Sequence, residues 1–473
     1  MERKELYALL QRWNPWWLEQ ESSPSVPETR RDTLEKLIGD LTNQKITSLL
    51  GPRQSGKTTL LKQAIRFLIQ SKSIPTRHIL YLPLDAFQEK PSPLRDIVEC
   101  FENENLDSRA DRRILFLDEI HEHAAWSREI KVLFDEGLPR KFVITGSSSS
   151  DVSRGSAESL AGRLLPIHLF PLTFSETLRF RLGADLDRTS FPQRLKTLRE
   201  AFHQALAEGR GEDFFAACGA IQQDLENGSL LPFADRLRSI LQEQLLHGGY
   251  PEIASRFLGP DEIARNLRAY LDAVMHKDFI RFFHIREPLT MENLLLALSK
   301  TTSCIQSERN LAKNLGSAIN TVRSYLAFLK LAFLVDSTRA FEKNAASQLR
   351  QPRKYYVLDA GIRNTLVGYA ESYAGYLLES LAFMHLKKLA AESSIRTDIF
   401  YWRDKMKGLE VDMILQSGKS LLPIEIKHGQ PAHLAGLHSF VSAFPSWGLV
   451  VSNNLARMGN VYSIPPHIFL LIP

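Results

Sequence analysis

The stretch Ile46-Thr-Ser-Leu-Leu-Gly51-Pro-Arg-Gln-Ser-Gly56-Lys57-Thr58-Thr59 decides the fold. Its first five residues form a short apolar run of the kind a buried strand uses, and the segment after it, Thr58 to Gln70, has helical periodicity. Between the two stands the spacing G-x-x-x-x-G-K-[ST], in the strand-then-helix setting that makes it a phosphate cradle. Gly51, Pro52, Arg53, Gln54, Ser55, Gly56, Lys57, Thr58 and Thr59 are therefore expected around a nucleotide phosphate. The glycines free backbone N–H groups to wrap the phosphates, and the helix N-terminus adds partial positive charge. Lys57 would reach the β- and γ-phosphates and the Thr58 hydroxyl would ligate Mg²⁺, so ATP and Mg²⁺ are the expected cofactors.

Downstream, Ile114-Leu-Phe-Leu-Asp118-Glu119 is an apolar run ending in two carboxylates. A buried strand exposes its last residues at the carboxyl edge of the sheet, beside the phosphate loop. Asp118 would hold Mg²⁺, directly or through water, and Glu119 would polarise the attacking water, the division of labour of a hydrolase. The next run ends Ile144-Thr145-Gly146-Ser147-Ser148, where a hydroxyl such as Ser147 can reach the γ-phosphate or form a turn. Arg163, in Ser159-Leu-Ala-Gly-Arg163, reads either as a guanidinium that stabilises transition-state charge, in cis or across a subunit interface, or as a surface ion pair. Short apolar runs at 46–50, 78–84, 113–117, 142–145 and 166–170, separated by helical segments, predict a parallel sheet covered on both faces.

The chain has 473 residues, enough for about three domains. Its net charge of +5 is too small to make the whole surface a trap for polyanions. Cys100, Cys218 and Cys304 lie far apart with no C-x-x-C spacing, which excludes a disulfide framework and a cysteine-based zinc site. No apolar stretch reaches the ~20 residues a membrane helix needs and the N-terminus has no signal-peptide core, so a cytoplasmic protein is expected, with no membrane partner.

The combination of Gly51 to Thr58, the Leu-Asp118-Glu119-Ile-His segment with Trp126 after it, Thr145-Gly-Ser-Ser-Ser, Glu158 to Arg163, Pro171-Leu-Thr-Phe-Ser-Glu176 and Gly248-Gly-Tyr-Pro-Glu252 resembles the prokaryotic AAA family ATPases that carry a DUF4143 C-terminal region. The resemblance covers nearly the whole chain and implies an ASCE-type ATPase core. The expected order is an N-terminal helical segment (1–44), an α/β AAA+ type parallel-sheet ATPase domain with a helical portion (45–252), a helical linker (253–299), a winged helix-turn-helix (300–360) and a restriction-endonuclease-like α/β domain (370–473).

Two C-terminal patterns support the last two assignments. In Ser317 to Leu331, Ile319, Val322, Leu326 and Leu329 share one helical face while Asn320, Thr321, Arg323 and Ser324 occupy the other, after a short helix and a turn at Gly316. Between Lys300 and Lys354 ten Lys or Arg face three acids, so the chain's positive charge is concentrated there. Asn320, Thr321 and Arg323 are expected to read a groove, and Arg350, Arg353 and Lys354 to meet phosphates, with duplex or branched DNA as partner. Modules of this kind also contact proteins, and assembly into a homo-oligomer is left open.

Further on, Gly408-Leu-Glu410-Val-Asp412 and Pro423-Ile-Glu425-Ile-Lys427 are two short strands joined by a Gln416-Ser-Gly-Lys419 turn, which would make them antiparallel neighbours. Asp412 and Glu425 would converge as Mg²⁺ ligands, with Lys427 orienting water and Glu379 completing the cluster from a preceding helix. This resembles the PD-(D/E)xK nuclease superfamily, with Val411 where the name has Pro. The resemblance implies DNA cleavage, although such folds also keep their acids while binding DNA without cutting it.

Overall fold

The computed structural model describes residues 2–19, 22–87, 92–146, 160–256, 258–278, 287–342, 344–429 and 434–472. Backbone contacts divide the chain into two compact units, 1–169 and 170–473.

The first unit is built on five strands: β1 (Ile46–Leu50), β2 (Ile79–Pro83), β3 (Arg113–Asp118), β4 (Arg140–Gly146) and β5 (Leu164–His168). They lie in the order β2-β3-β4-β1-β5 and every pairing is parallel. All residues of β1 to β4 are buried, as the apolar runs require of a sheet covered on both faces. Helices Lys57–Ser71, Leu94–Asn105 and Trp126–Asp135 form the crossovers. Insertion of β4 between β1 and β3 sets the ends of β1, β4 and β3 side by side at one edge. This is a P-loop, AAA+ type α/β architecture.

β2 is an edge strand, and the N-terminal segment blocks it. The Asn14 amide bonds the Tyr81 backbone twice, donating to its carbonyl at 2.9 Å and accepting from its N–H at 2.6 Å. The buried indoles of Trp16 and Trp17 both donate to the Ile79 carbonyl. The segment supplies by side chain the hydrogen bonds that another strand would supply by backbone.

The second unit begins with helices, among them Phe191–Glu208, Glu212–Asn227 and Ala234–His247. The helical portion expected within the 45–252 ATPase domain falls in this unit. Nine strands follow: β6 (Cys304–Gln306), β7 (Val335–Ala340), β8 (Arg353–Val357), β9 (Thr397–Asp404), β10 (Leu409–Ser417), β11 (Ser420–Ile426), β12 (Gly448–Val451), β13 (Ala456–Met458) and β14 (Val461–Ile464). They make one sheet in the order β13-β14-β12-β11-β10-β9-β7-β8-β6. The segments expected as separate bodies at 300–360 and 370–473 are therefore continuous, joined where β7 pairs β9 through Arg339 opposite Phe400 and Ala340 opposite Tyr401.

Helices Pro288–Lys300, Glu308–Asn314 and Ile319–Leu331 pack beside β6, β7 and β8, with Val322, Leu326 and Leu329 buried and Gly316 at φ 60° in the intervening turn. Helix Ala374–Glu392 is buried almost all round from Leu377 to Leu386.

The Gly248-Gly249 turn has a structural job. Gly249 N–H donates to Asp359 Oδ2 at 2.7 Å, while Asp359 Oδ1 caps helix Ala360–Val367 through the Ile362 N–H at 3.0 Å. A Cβ on Gly248, itself at φ 83°, would sit 2.1 Å from that carboxylate, so no larger residue fits.

Candidate nucleotide site

At the carboxyl edge of the first sheet, β1 runs into a tight loop and then into helix Lys57–Ser71, which begins beside Gly56 in the left-handed region at φ 90°. Gly51 is packed so closely that a Cβ would fall 2.3 Å from the Leu169 carbonyl. Ser55 Oγ donates to the Pro52 carbonyl at 2.8 Å, and Arg31, which no motif marked, donates to the Ser55 carbonyl at 3.0 Å. The Lys57 ammonium is buried and bonds the loop's own carbonyls, Gly51 O at 3.1 Å and Pro52 O at 2.9 Å. Those carbonyls hold the charge inside the cradle where a phosphate oxygen would compete for it. Thr58 lies in the first helical turn, and a helix N-terminus following such a loop is suited to a phosphate group.

Asp118 ends β3, buried, and receives a donor from each flanking strand. Tyr81 Oη from β2 donates to Oδ2 at 3.0 Å and Thr145 Oγ1 from β4 donates to Oδ1 at 2.5 Å. Thr145 Oγ1 also accepts the Glu119 N–H at 2.9 Å, and Glu119 stands in the left-handed region at φ 52°. Burial pushes the Glu119 carboxyl above the usual carboxylate range, opposed by the Lys57 ammonium and reinforced by Asp118. A carboxyl so placed is a stronger base than a surface glutamate. His121 Nδ1 lies 3.3 Å from Glu119 Oε2, which places that histidine beside the base.

The structure thus brings Lys57, Thr58, Asp118 and Glu119 to one edge. Ser147 lies outside the described residues, and Thr145 is the hydroxyl seen at the carboxylates. Arg163 is not brought there. Its carbonyl accepts the N–H of Ile46, the first residue of β1, at the opposite edge of the sheet. Its guanidinium is paired with Asp135 at 3.0 and 3.1 Å. A role in cis is thereby corrected to a surface ion pair.

In the second unit, β10 and β11 pair antiparallel with Met413 opposite Ile424, which sets Asp412 opposite Glu425. Asp412 N–H donates to Glu425 Oε2 at 3.3 Å, and the Ile426 N–H donates to Asp412 Oδ2 at 2.9 Å. Lys427 Nζ is 2.7 Å from Glu425 Oε1. These residues meet as expected, but a further side chain fills their centre. Lys354 Nζ lies 2.8 Å from Glu379 Oε1, 3.0 Å from Asp412 Oδ1 and 3.2 Å from Glu410 Oε1, and the Tyr356 hydroxyl donates to Glu379 at 3.0 Å.

One expectation is corrected by this. Lys354 is 2% exposed and faces carboxylates, so it is not a contact for a DNA phosphate. The carboxylates already hold an ammonium, and among the described residues no group of three His, Cys, Asp or Glu is disposed to hold a metal. Where the spacing suggested a divalent-metal centre, the structure thus sets Lys354 against Asp412 and Glu379, with Glu425 paired to Lys427. Burial pushes Glu379 up to about 8 and Glu425 up to about 7, with the Asp412 charge adding to both.

Of the remaining residues expected at DNA, Asn320 and Arg323 are exposed, Thr321 is half-buried, Arg350 is exposed and Arg353 half-buried. Arg323 Nε pairs with Glu308 at 2.7 Å.

This architecture and edge define the class as a P-loop, AAA+ type α/β domain with a helical and sheet region after it. Residues 43–178 match the AAA domain family, residues 238–373 a domain of unknown function, DUF8612, and residues 374–465 another, DUF4143. An uncharacterized protein of Methanocaldococcus jannaschii is 26% identical over 405 residues, covering 83% of this chain and 76% of its own. One from Haemophilus influenzae is 22% identical, covering 84% of this chain and 86% of its own. One from Mycobacterium tuberculosis is 24% identical, covering 92% and 80%. Among solved structures, the Aeropyrum pernix ORC1 protein in complex with DNA is 16% identical with a TM-score of 0.26, covering 75% of this chain and 96% of that one. PCH-2 of C. elegans is 12% identical with a TM-score of 0.22, covering 44% and 49%. No helix among the described residues is long and apolar enough to cross a membrane.

Proposed function

We propose that this protein is a Mg²⁺-dependent ATPase whose C-terminal region binds DNA without cutting it, so that hydrolysis serves as a switch. The observation that carries the hydrolytic part is the Asp118–Thr145–Glu119 arrangement beside the Lys57 loop. Lys57 and the loop N–H groups bind and orient the phosphates. Glu119, with its raised proton affinity, takes the proton of the attacking water. Asp118 and Thr58 would hold Mg²⁺, which when bound neutralises phosphate charge.

The DNA part rests on element order. Helix, strand, helix, turn, helix and a strand pair run in sequence from Pro288 to Val357, the order of a winged helix, with Asn320 and Arg323 exposed on the helix that would enter a groove. Non-cleavage is favoured by Lys354, an ammonium fixed by sheet pairing where a nuclease would keep its metal. Phosphate release by the purified full chain with Mg-ATP, set against Lys57→Ala, tests the reading. Turnover lost with nucleotide affinity in the variant supports it, and equal turnover in both defeats it.

A further inference from the structure

Tyr81 belongs to no motif, sits inside an apolar strand and is 4% exposed, yet its hydroxyl points to the carboxylate at the end of the neighbouring strand. We infer that Tyr81 is a positioning residue that fixes Asp118 for Mg²⁺, and that the N-terminal segment, through Asn14, holds Tyr81 in place. The inference rests on the ATPase reading and extends it to residues outside the nucleotide motifs.

Asp118 is an acceptor with two lone-pair sites on each oxygen. Tyr81 occupies one on Oδ2 and Thr145 one on Oδ1, which leaves one on each and fixes the plane of the carboxylate from both sides. Mg²⁺ demands near-octahedral geometry at short range, so a carboxylate free to rotate loses affinity that a fixed one keeps.

Tyr81 in turn depends on a strand that, among the described residues, has no strand partner on its outer side. The two Asn14 bonds lie on the Tyr81 backbone itself, and the Trp16 and Trp17 bonds lie two residues before it. Chain from the amino terminus thereby sets the height at which the phenol meets Asp118.

The test is the affinity of the full-length protein for a fluorescent ATP analogue, measured in EDTA and then through a Mg²⁺ titration, for the parent, Tyr81→Phe, Asn14→Ala, Asp118→Asn and the Tyr81→Phe/Asp118→Asn pair. For Tyr81→Phe we expect unchanged affinity in EDTA and a Mg²⁺ half-saturation raised about tenfold. Asn14→Ala should shift it the same way by less. In the Asp118→Asn background Tyr81→Phe should add nothing, because it acts through that carboxylate. A Tyr81→Phe titration that overlays the parent's overturns the inference while the ATPase reading stands, as does an additive effect in the double variant. A parent whose nucleotide affinity ignores both Mg²⁺ and Lys57→Ala overturns the two together.

Discussion

Lys354 and Asp412 form a buried 3.0 Å ion pair at the point where the strand pattern led us to expect a metal ion. Burial works against the ammonium, but Asp412 and Glu379 outweigh it and hold Lys354 well above its ordinary range. It is charged at any physiological pH, and it bonds Asp412, Glu410 and Glu379 together.

Replacing Lys354 by Met should destabilise the second unit by about 3–5 kcal/mol, because the variant leaves buried charges without their partner. Chemical denaturation of the full chain checks it. A loss below about 1 kcal/mol would mean that the lysine is no keystone.

The same cage predicts inert chemistry toward DNA. Parent, Asp412→Ala and Lys427→Ala proteins should all leave single-stranded, duplex and branched DNA intact with Mg²⁺ or Mn²⁺, with or without ATP. Cutting by the parent that is lost in both variants would reinstate the nuclease.

Stability should fall as the medium turns alkaline. Glu379 and Glu425 titrate at about 8 and about 7 in the folded chain, above the ordinary 4.5. The folded state therefore holds more protons than the unfolded one between those limits, and stability drops as pH rises through that window. Melting temperature measured from pH 5 to 9 should decline, and Glu379→Gln should flatten the decline because an amide mimics the protonated acid. An identical slope in the variant would assign the effect elsewhere.

Substituting Arg350 and Arg353 by Ala should weaken DNA binding for every sequence tested and flatten its salt dependence, since each lost phosphate contact removes about one unit of slope. An unchanged slope would direct this basic segment toward something other than DNA.

The first sheet was legible because β1 to β4 are continuous apolar runs, and the phosphate loop because its spacing is specific. Tyr81 was not, since one tyrosine in Ile79–Pro83 looks like any core residue; only the fold brings it to Asp118. Lys354 looked like its neighbour Arg353, although strand alternation puts it on the face of Tyr356 and so inward. The join of β7 to β9 could not be read, because two residue pairs separated by 61 positions carry it and leave no local periodicity. Asp412 and Glu425 were legible as partners, but the ammonium that pairs with Asp412 came from a strand more than fifty residues earlier.

The most direct test of the account is Glu119→Gln. The substitution keeps the phosphate cradle and removes the base, so the variant should bind ATP as tightly as the parent while hydrolysing it about 100-fold more slowly in a single-turnover measurement. Hydrolysis at the parental rate with ATP bound would contradict the assignment of the base, and with it the central claim that this carboxyl edge is a hydrolytic centre.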